Sequence, residues 1–127
     1  MAVKVVDASA LVALIFREDN AAEVDERLEH AVLVAPALLP FEVANVCRTK
    51  LRQYPDRRDA LLDQFSAQAG VAIEIREVDH LEAVELAERF GLSTYDASYL
   101  WLARELGADL VTLDRRLARA AAALGQT

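Results

Sequence analysis

An α/β fold built on a mostly parallel sheet is predicted by two features of this chain. Four short runs rich in β-branched and apolar residues alternate with about seven stretches of helical periodicity. Acidic or hydroxyl residues stand where several helices should start, and glycines stand where several should stop. The 127 residues suit a single domain, 1–127, with one core. The sheet should hold four or five strands with about seven helices around it.

The elements follow in order. Residues 3–6, Val-Lys-Val-Val, form a strand ending at Asp7. Residues 8–16 hold helix formers with no breaker, and residues 20–30 make a charged helix carrying Ala22, Val24 and Leu28. Residues 31–35, Ala-Val-Leu-Val-Ala, form a second strand, which Pro36 stops. Pro40 suits a first helical turn, and helical spacing continues through Arg52. Tyr54-Pro55-Asp56 is a turn, and residues 59–69 read as a helix ended by Gly70. Ile73-Glu74-Ile75 is a third strand. Asp79 caps a helix that runs to Phe90 and stops at Gly91. Residues 94–106 form a helix ended by Gly107. Residues 109–113 are a fourth strand, and Asp114 opens the last helix. Residues 125–127 read as a frayed end.

Hydrophobic residues make up 54% of the chain, which supports a packed core and argues against global disorder. No apolar run is long enough to cross a bilayer, and no signal peptide is read at the amino terminus. Cys47 is the only cysteine, so no intrachain disulfide forms, as suits a reducing cytoplasm. The net charge of −7 argues against a protein held to nucleic acid mainly by phosphate contacts. That objection weakens if the excess acid is gathered in one cleft.

Asp7 and Asp114 each sit between a strand and a helix, and Asp96 follows Ser93 by three residues. Taken singly, each is better explained as part of a helix cap, since Asp is a favoured N-cap and Ser-x-x-Asp resembles a capping box. Glu42 lies in a first helical turn, where the helix dipole favours it. It shares a polar stripe with Asn45 and Thr49, opposite an apolar one. The helix after Asp96 is apolar on nearly every face, so an acid at its head is partly desolvated and needs partners.

Together the acids mean more. Open parallel sheets bind ligands beyond the carboxyl ends of their strands, where strand order reverses. If the strands before Asp7 and Asp114 are neighbours, both carboxylates face one crevice, with Glu42 and Asp96 at the same end. Carboxylates about 4 Å apart repel by roughly 4 kcal/mol per pair at an effective dielectric near 20. Such a group must share protons or bind a cation, and oxygen-only ligands favour Mg²⁺ or Mn²⁺. Ions of this kind activate water and shield phosphate in phosphoryl chemistry.

Four stretches carry a family resemblance: Val6-Asp7-Ala8-Ser9-Ala10-Leu11; Ala35-Pro36-Ala37-Leu38-Leu39 leading to Glu42-Val43-Ala44-Asn45; Leu92-Ser93-Thr94-Tyr95-Asp96-Ala97-Ser98-Tyr99-Leu100; and Leu113-Asp114-Arg115-Arg116-Leu117. In this order and spacing the chain closely resembles PIN-domain ribonucleases, and among them the VapC toxins of toxin–antitoxin pairs. Tyr95-Asp96-Ala97-x-Tyr99-Leu100 is the most specific element. The resemblance implies a PIN-like three-layer sandwich, with Asp7, Glu42, Asp96 and Asp114 as catalytic and metal-binding acids, Glu42 in part through water. It implies endonucleolytic cleavage of structured RNA such as tRNA or ribosomal RNA, with Mg²⁺ or Mn²⁺. It also implies a homodimer and a VapB-like antitoxin that blocks the site within a hetero-oligomer and contacts DNA on the toxin's behalf. Ser9 and Thr112 are the candidate hydroxyls near the metal, with Asn45 as a further supporting residue.

Arg115 and Arg116 lie within a turn of Asp114 and are the candidates for RNA phosphate contact. Arg48, Arg52, Arg57, Arg58 and Arg119 read as solvated faces. His30 and His80 read as surface residues, Cys47 as core, and Trp101 as packing rather than a stacking platform. Two phosphoryl-transfer rivals fail on residue type. A receiver-like phospho-acceptor needs a lysine near the last strand, and Lys4 and Lys50 are the only lysines. A haloacid-type phosphatase needs a second Asp where Ser9 stands. The remaining alternative is a non-catalytic PIN-like RNA- or protein-binding module, which would have no reason to keep four like charges together.

Overall fold

The structure, a computed structural model, describes residues 1–67 and 71–127. Four strands, β1 (Ala2–Val6), β2 (Ala31–Pro36), β3 (Ile73–Arg76) and β4 (Asp109–Val111), pair in the order β3-β2-β1-β4, and every pairing is parallel. Seven α-helices are present among the described residues: α1 (Ala8–Ile15), α2 (Ala21–Leu28), α3 (Leu39–Gln53), α4 (Arg58–Ala67), α5 (His80–Phe90), α6 (Thr94–Leu106) and α7 (Arg115–Ala123). A short 3₁₀ turn, Pro55–Arg57, occupies the expected turn between α3 and α4. The expected helix end over residues 68 and 69 and its stop at Gly70 lie outside the described residues.

The sheet order explains the layers. From β1 to β2 to β3 the chain advances one strand at a time, and from β3 to β4 it returns past β1. Right-handed crossovers in opposite directions put their helices on opposite faces. Accordingly α1 packs on α2, α3 and α4, while α6 packs on α5 and α7 and lies against β1, β2 and β4. Strand order reverses between β1 and β4, so the crevice expected for a ligand opens at the ends of those two strands.

The helix bounds follow their local signals. Asp79 caps α5 by accepting from the Glu82 amide at 3.0 Å, and Ser93 caps α6 by accepting from the Asp96 amide at 3.1 Å. Both helices end in a left-handed residue, Gly91 (φ 66°) and Gly107 (φ 60°), a conformation glycine adopts without steric cost. From Ala97 to Ala103 every residue of α6 is buried. This is the all-round apolar helix the sequence predicts, and Tyr99, Leu100 and Leu102 are among the largest fully buried side chains.

Two expectations are corrected. The fourth strand stops at Val111 instead of reaching residue 113, and just beyond it the Thr112 hydroxyl donates to Asp7 and accepts from the Asp114 amide, bonds a continuing strand would not make. The carboxyl end is not frayed. The Leu110 amide donates to the Gln126 carbonyl at 2.9 Å, and the Gln126 amide donates to the Ala121 carbonyl at 2.8 Å. One such bond covers part of the β4 edge where a fifth strand would lie.

Candidate active site

Asp7 is the anchor of the site. It follows β1, is 5% exposed, and caps α1 by accepting from the Ala10 amide on Oδ1 at 3.0 Å. Oδ1 also accepts from the Ser9 hydroxyl at 2.7 Å, and Oδ2 accepts from the Thr112 hydroxyl. Each hydroxyl in turn accepts a backbone amide from the turn after β4: Leu113 N–H on Ser9 Oγ at 2.9 Å and Asp114 N–H on Thr112 Oγ1 at 3.0 Å. With both protons given to Asp7, the 3.3 Å approach of the two hydroxyls is a packing contact. The switch point is therefore stitched shut through two hydroxyls and one carboxylate, with Ser9 and Thr112 both bonded to Asp7.

Replacing Thr112 with Val tests this stitch. The shape is kept, but Asp7 Oδ2 loses its donor and the Asp114 amide its acceptor. Stability should fall by about 1–3 kcal/mol in a denaturant titration. A loss below about 0.5 kcal/mol would mean water replaces the hydroxyl at no cost.

Asp114 caps α7 through Oδ1, which accepts from the Leu117 amide at 3.0 Å. Asp96 is not the N-cap, since Ser93 performs that role by accepting from the Asp96 amide. Glu42 Oε1 accepts from the Tyr99 hydroxyl at 2.7 Å, which ties the start of α3 to α6 across the end of the sheet. Tyr99 is 1% exposed, so its ring is core while its hydroxyl reaches the cleft. Burial, more than its bond to Glu42, pushes the phenol far up and keeps it a hydrogen donor. No catalytic part is assigned to Tyr99 from the sequence. The available signal is its position three residues after Asp96, on the same helix face, in an apolar helix where a phenol hydroxyl needs a partner.

The four acids feel one another. Burial is the main cause that pushes Asp7, Glu42 and Asp96 above the ordinary carboxylate range. Like charge adds to this: Asp114 acts on Asp7 and on Asp96, while Asp96 and Asp7 act on Glu42. Arg116 partly offsets the effect at Asp96. Among the described residues, no three acidic, His or Cys side chains stand within ligating reach of a single point. The acids thus lie near one another at the end of the sheet without forming a closed cage.

The donor set fits a hard divalent cation. Asp7 Oδ2 accepts one hydrogen bond and has capacity for another. Glu42 Oε2 and Asp114 Oδ2 accept none among the described residues, and the Asp96 carboxylate meets only the Ser93 hydroxyl. These are oxygen donors without sulfur or imidazole, the set preferred by Mg²⁺ and Mn²⁺.

The other candidate residues fall on both sides of expectation. Asn45 is exposed, and only its carbonyl is engaged, by Thr49 Oγ1 at 3.1 Å; its side chain bonds none of the acids, so the expected supporting contact does not form. The helix turns Asn45 outward while Glu42 turns toward α6. Arg115 is exposed beside Asp114. Arg116 is exposed too, but it donates to the Gly91 carbonyl and braces the loop before α6. Trp101 is 8% exposed and donates to Glu82 Oε1 at 3.1 Å, which makes it a packing residue. Cys47 is buried, and His30 and His80 are exposed, as expected.

A parallel sheet in the order 3-2-1-4 with an acidic cleft at its switch point defines an α/β domain of the PIN kind. The family model described as PIN domain matches residues 4–123, and the chain belongs to the PIN-domain family. Its relatives include Ribonuclease VapC3 of Pyrobaculum aerophilum, 32% identical over 119 residues that span 90% of this chain and 91% of that protein. The crystal structure of PAE2754 from Pyrobaculum aerophilum superposes with a TM-score of 0.73 at 28% identity, covering 94% of this chain and 84% of that one. The chain is thus a homologue of a VapC ribonuclease. No helix among the described residues is long and apolar enough to cross a membrane.

Proposed function

We propose that this protein is a Mg²⁺- or Mn²⁺-dependent endoribonuclease, the toxin of a toxin–antitoxin pair, acting on structured RNA such as tRNA or ribosomal RNA. The observation that carries the reading is that Asp7, Glu42, Asp96 and Asp114 gather near the strand-order switch point, where burial and then like charge disfavour ionisation of Asp7, Glu42 and Asp96. Asp7, Asp96 and Asp114 would hold the ion directly only after their side chains turn in from the open arrangement of the structure, and Glu42 would act in part through water. When bound, the ion supplies an acidified water and shields the phosphate. The chain's own residues do the positioning. Ser9 and Thr112 fix the Asp7 carboxylate, and Tyr99 fixes Glu42. Arg115, exposed, and the N–H groups of Arg116 not used on Gly91 would meet RNA phosphates.

A cytoplasmic location, a homodimer and a VapB-like antitoxin go with this reading. The antitoxin would bring the DNA contact of the hetero-oligomer. Exposed Phe41 and Leu81, at 81% and 71%, offer apolar surface for such partners.

Incubation of total RNA with the protein and Mg²⁺ or Mn²⁺ should give discrete cuts with 5′-phosphate and 3′-hydroxyl ends, and EDTA should abolish them. Cleavage that survives EDTA, or 2′,3′-cyclic phosphate ends, would contradict the metal-activated water.

The raised carboxyl groups give a stability signature as well. A folded-state pKa above the unfolded one means the folded protein binds protons more tightly. The contribution of Asp7, Glu42 and Asp96 to stability is therefore fully present below the ordinary carboxylate range. It is lost as pH rises through the raised values. Saturating Mn²⁺ should raise Tm by several degrees more at about pH 7.5 than at about pH 4. Equal shifts at both values in a thermal melt would separate the metal from these acids.

A further inference from the structure

A cavity of about 580 Å³ opens beside the acidic cleft, at the same end of the sheet. Its floor and walls are apolar, from Pro36 and Leu38 after β2, Val78 after β3 and Ala83 on α5. Its lining also carries polar groups of both kinds: Arg76, Glu77, His80 and Thr94. The volume falls within the roughly 300–1,000 Å³ of small-molecule sites, and apolar walls with a few polar groups are the usual lining.

The position of the cavity selects the ligand. It is built over the ends of β2 and β3, while Asp7 and Asp114 stand at the ends of β1 and β4. Neighbouring strands lie about 4.8 Å apart, so the cavity stands about one or two strand spacings from Asp7 and about two or three from Asp114. The two are also joined in sequence. Tyr95 lines the cavity and Asp96 follows it; Leu38 lines the cavity and accepts the Glu42 amide at 3.0 Å. Tyr95 is 70% exposed, so its ring is available, unlike that of Tyr99 or Trp101.

We infer that this cavity holds one unpaired nucleobase of the RNA, from a nucleotide adjacent to the scissile phosphate, with Tyr95 as its stacking surface. This rests on the nuclease reading above and adds to it a base-recognising subsite. A flat apolar ring suits the walls, stacking on Tyr95 holds any base, and the donors and acceptors of Arg76, Glu77, His80 and Thr94 can read its edge.

The test is binding without cleavage. The full-length protein in EDTA is titrated with each of the four nucleoside 5′-monophosphates, and with ribose 5-phosphate as the base-free probe, while amide shifts are followed by NMR. At least one nucleotide should shift the amides of Val78, His80, Ala83 and Thr94 saturably, and ribose 5-phosphate should not. Tyr95→Ala should weaken that binding by about 5- to 150-fold, the range measured for stacking on an aromatic. Ala37→Trp, at an exposed position lining the same cavity, should weaken it as much by filling the space.

The proposal is overturned if no nucleotide moves these amides, if ribose 5-phosphate moves them equally, or if both variants bind as wild type does. Shifts that track protein concentration without nucleotide would assign the cavity to a second copy and would also overturn it. Base binding without any RNA cleavage would remove the nuclease and leave the subsite. Cleavage without base binding would do the reverse.

Discussion

Asp96→Asn should lower RNA cleavage by about 10²–10³-fold while raising the Tm of the metal-free protein, as expected for a group that stabilises reaction charge at a cost to the fold. The two effects share one cause. Ser93, not Asp96, caps α6, so Asn leaves the helix start intact. The charge on Asp96 is disfavoured first by burial and then by Asp114, with the Ser93 hydroxyl and then Arg116 as smaller offsets. Its removal relieves that penalty and deletes a negatively charged oxygen donor proposed to hold the metal. The sign fixes the pH window. The gain of Asn over Asp should be absent below the ordinary carboxylate range and appear as pH rises through the raised value for Asp96. Single-turnover cleavage and thermal melts in EDTA at about pH 4 and about pH 7.5 read both effects. Activity within about threefold of wild type would remove Asp96 from the reaction. A lower Tm at neutral pH would mean its carboxylate supports the fold.

Tyr99→Phe should weaken activating metal by about 10- to 100-fold and leave the fold in place, the range seen when a group orienting a metal ligand is lost. The ring is core and Phe fills its volume, so no cavity forms. Only the hydroxyl that donates to Glu42 Oε1 at 2.7 Å disappears. Glu42 is then freer to turn, while the other acids keep their own supports. The expected pattern is a rightward shift of the Mn²⁺ activation curve with most of the maximal rate recovered at saturating ion. An unchanged midpoint would reduce Tyr99 to a packing residue. A lost maximal rate at an unchanged midpoint would place its hydroxyl nearer the reacting atoms than the structure does.

Much of this was legible because the signals were local. Asp79 with Gly91, and Ser93 with Gly107, bracket α5 and α6, so cap chemistry alone sets both helices. The four acids announced themselves by standing at strand or helix ends. Their convergence depended on β1 and β4 being neighbours, a long-range fact carried by strand pairing and not by any local pattern.

What stayed hidden was longer in range still. The Asp7 network joins residues 105 positions apart and needs Thr112 to leave the strand early. The bond between Tyr99 and Glu42 spans 57 positions. Asn45 looked like a partner of Glu42 on periodicity, but helix rotation turns it to solvent. The carboxyl end, short of strand-forming residues, is held by backbone bonds that no composition argument sees. The cavity beside the cleft draws on segments from β2 to α6, and no one of them carries its signature.

Calorimetric titration of Mn²⁺ into the wild-type protein and into Asp96→Asn bears most directly on the claim that these acids form one metal site. One saturable binding event should appear in the wild type, weaken at least about tenfold in Asp96→Asn, and fall at the same ion concentration that activates RNA cleavage. No saturable binding, or binding that the substitution leaves unchanged, would contradict a metal held by Asp7, Glu42, Asp96 and Asp114.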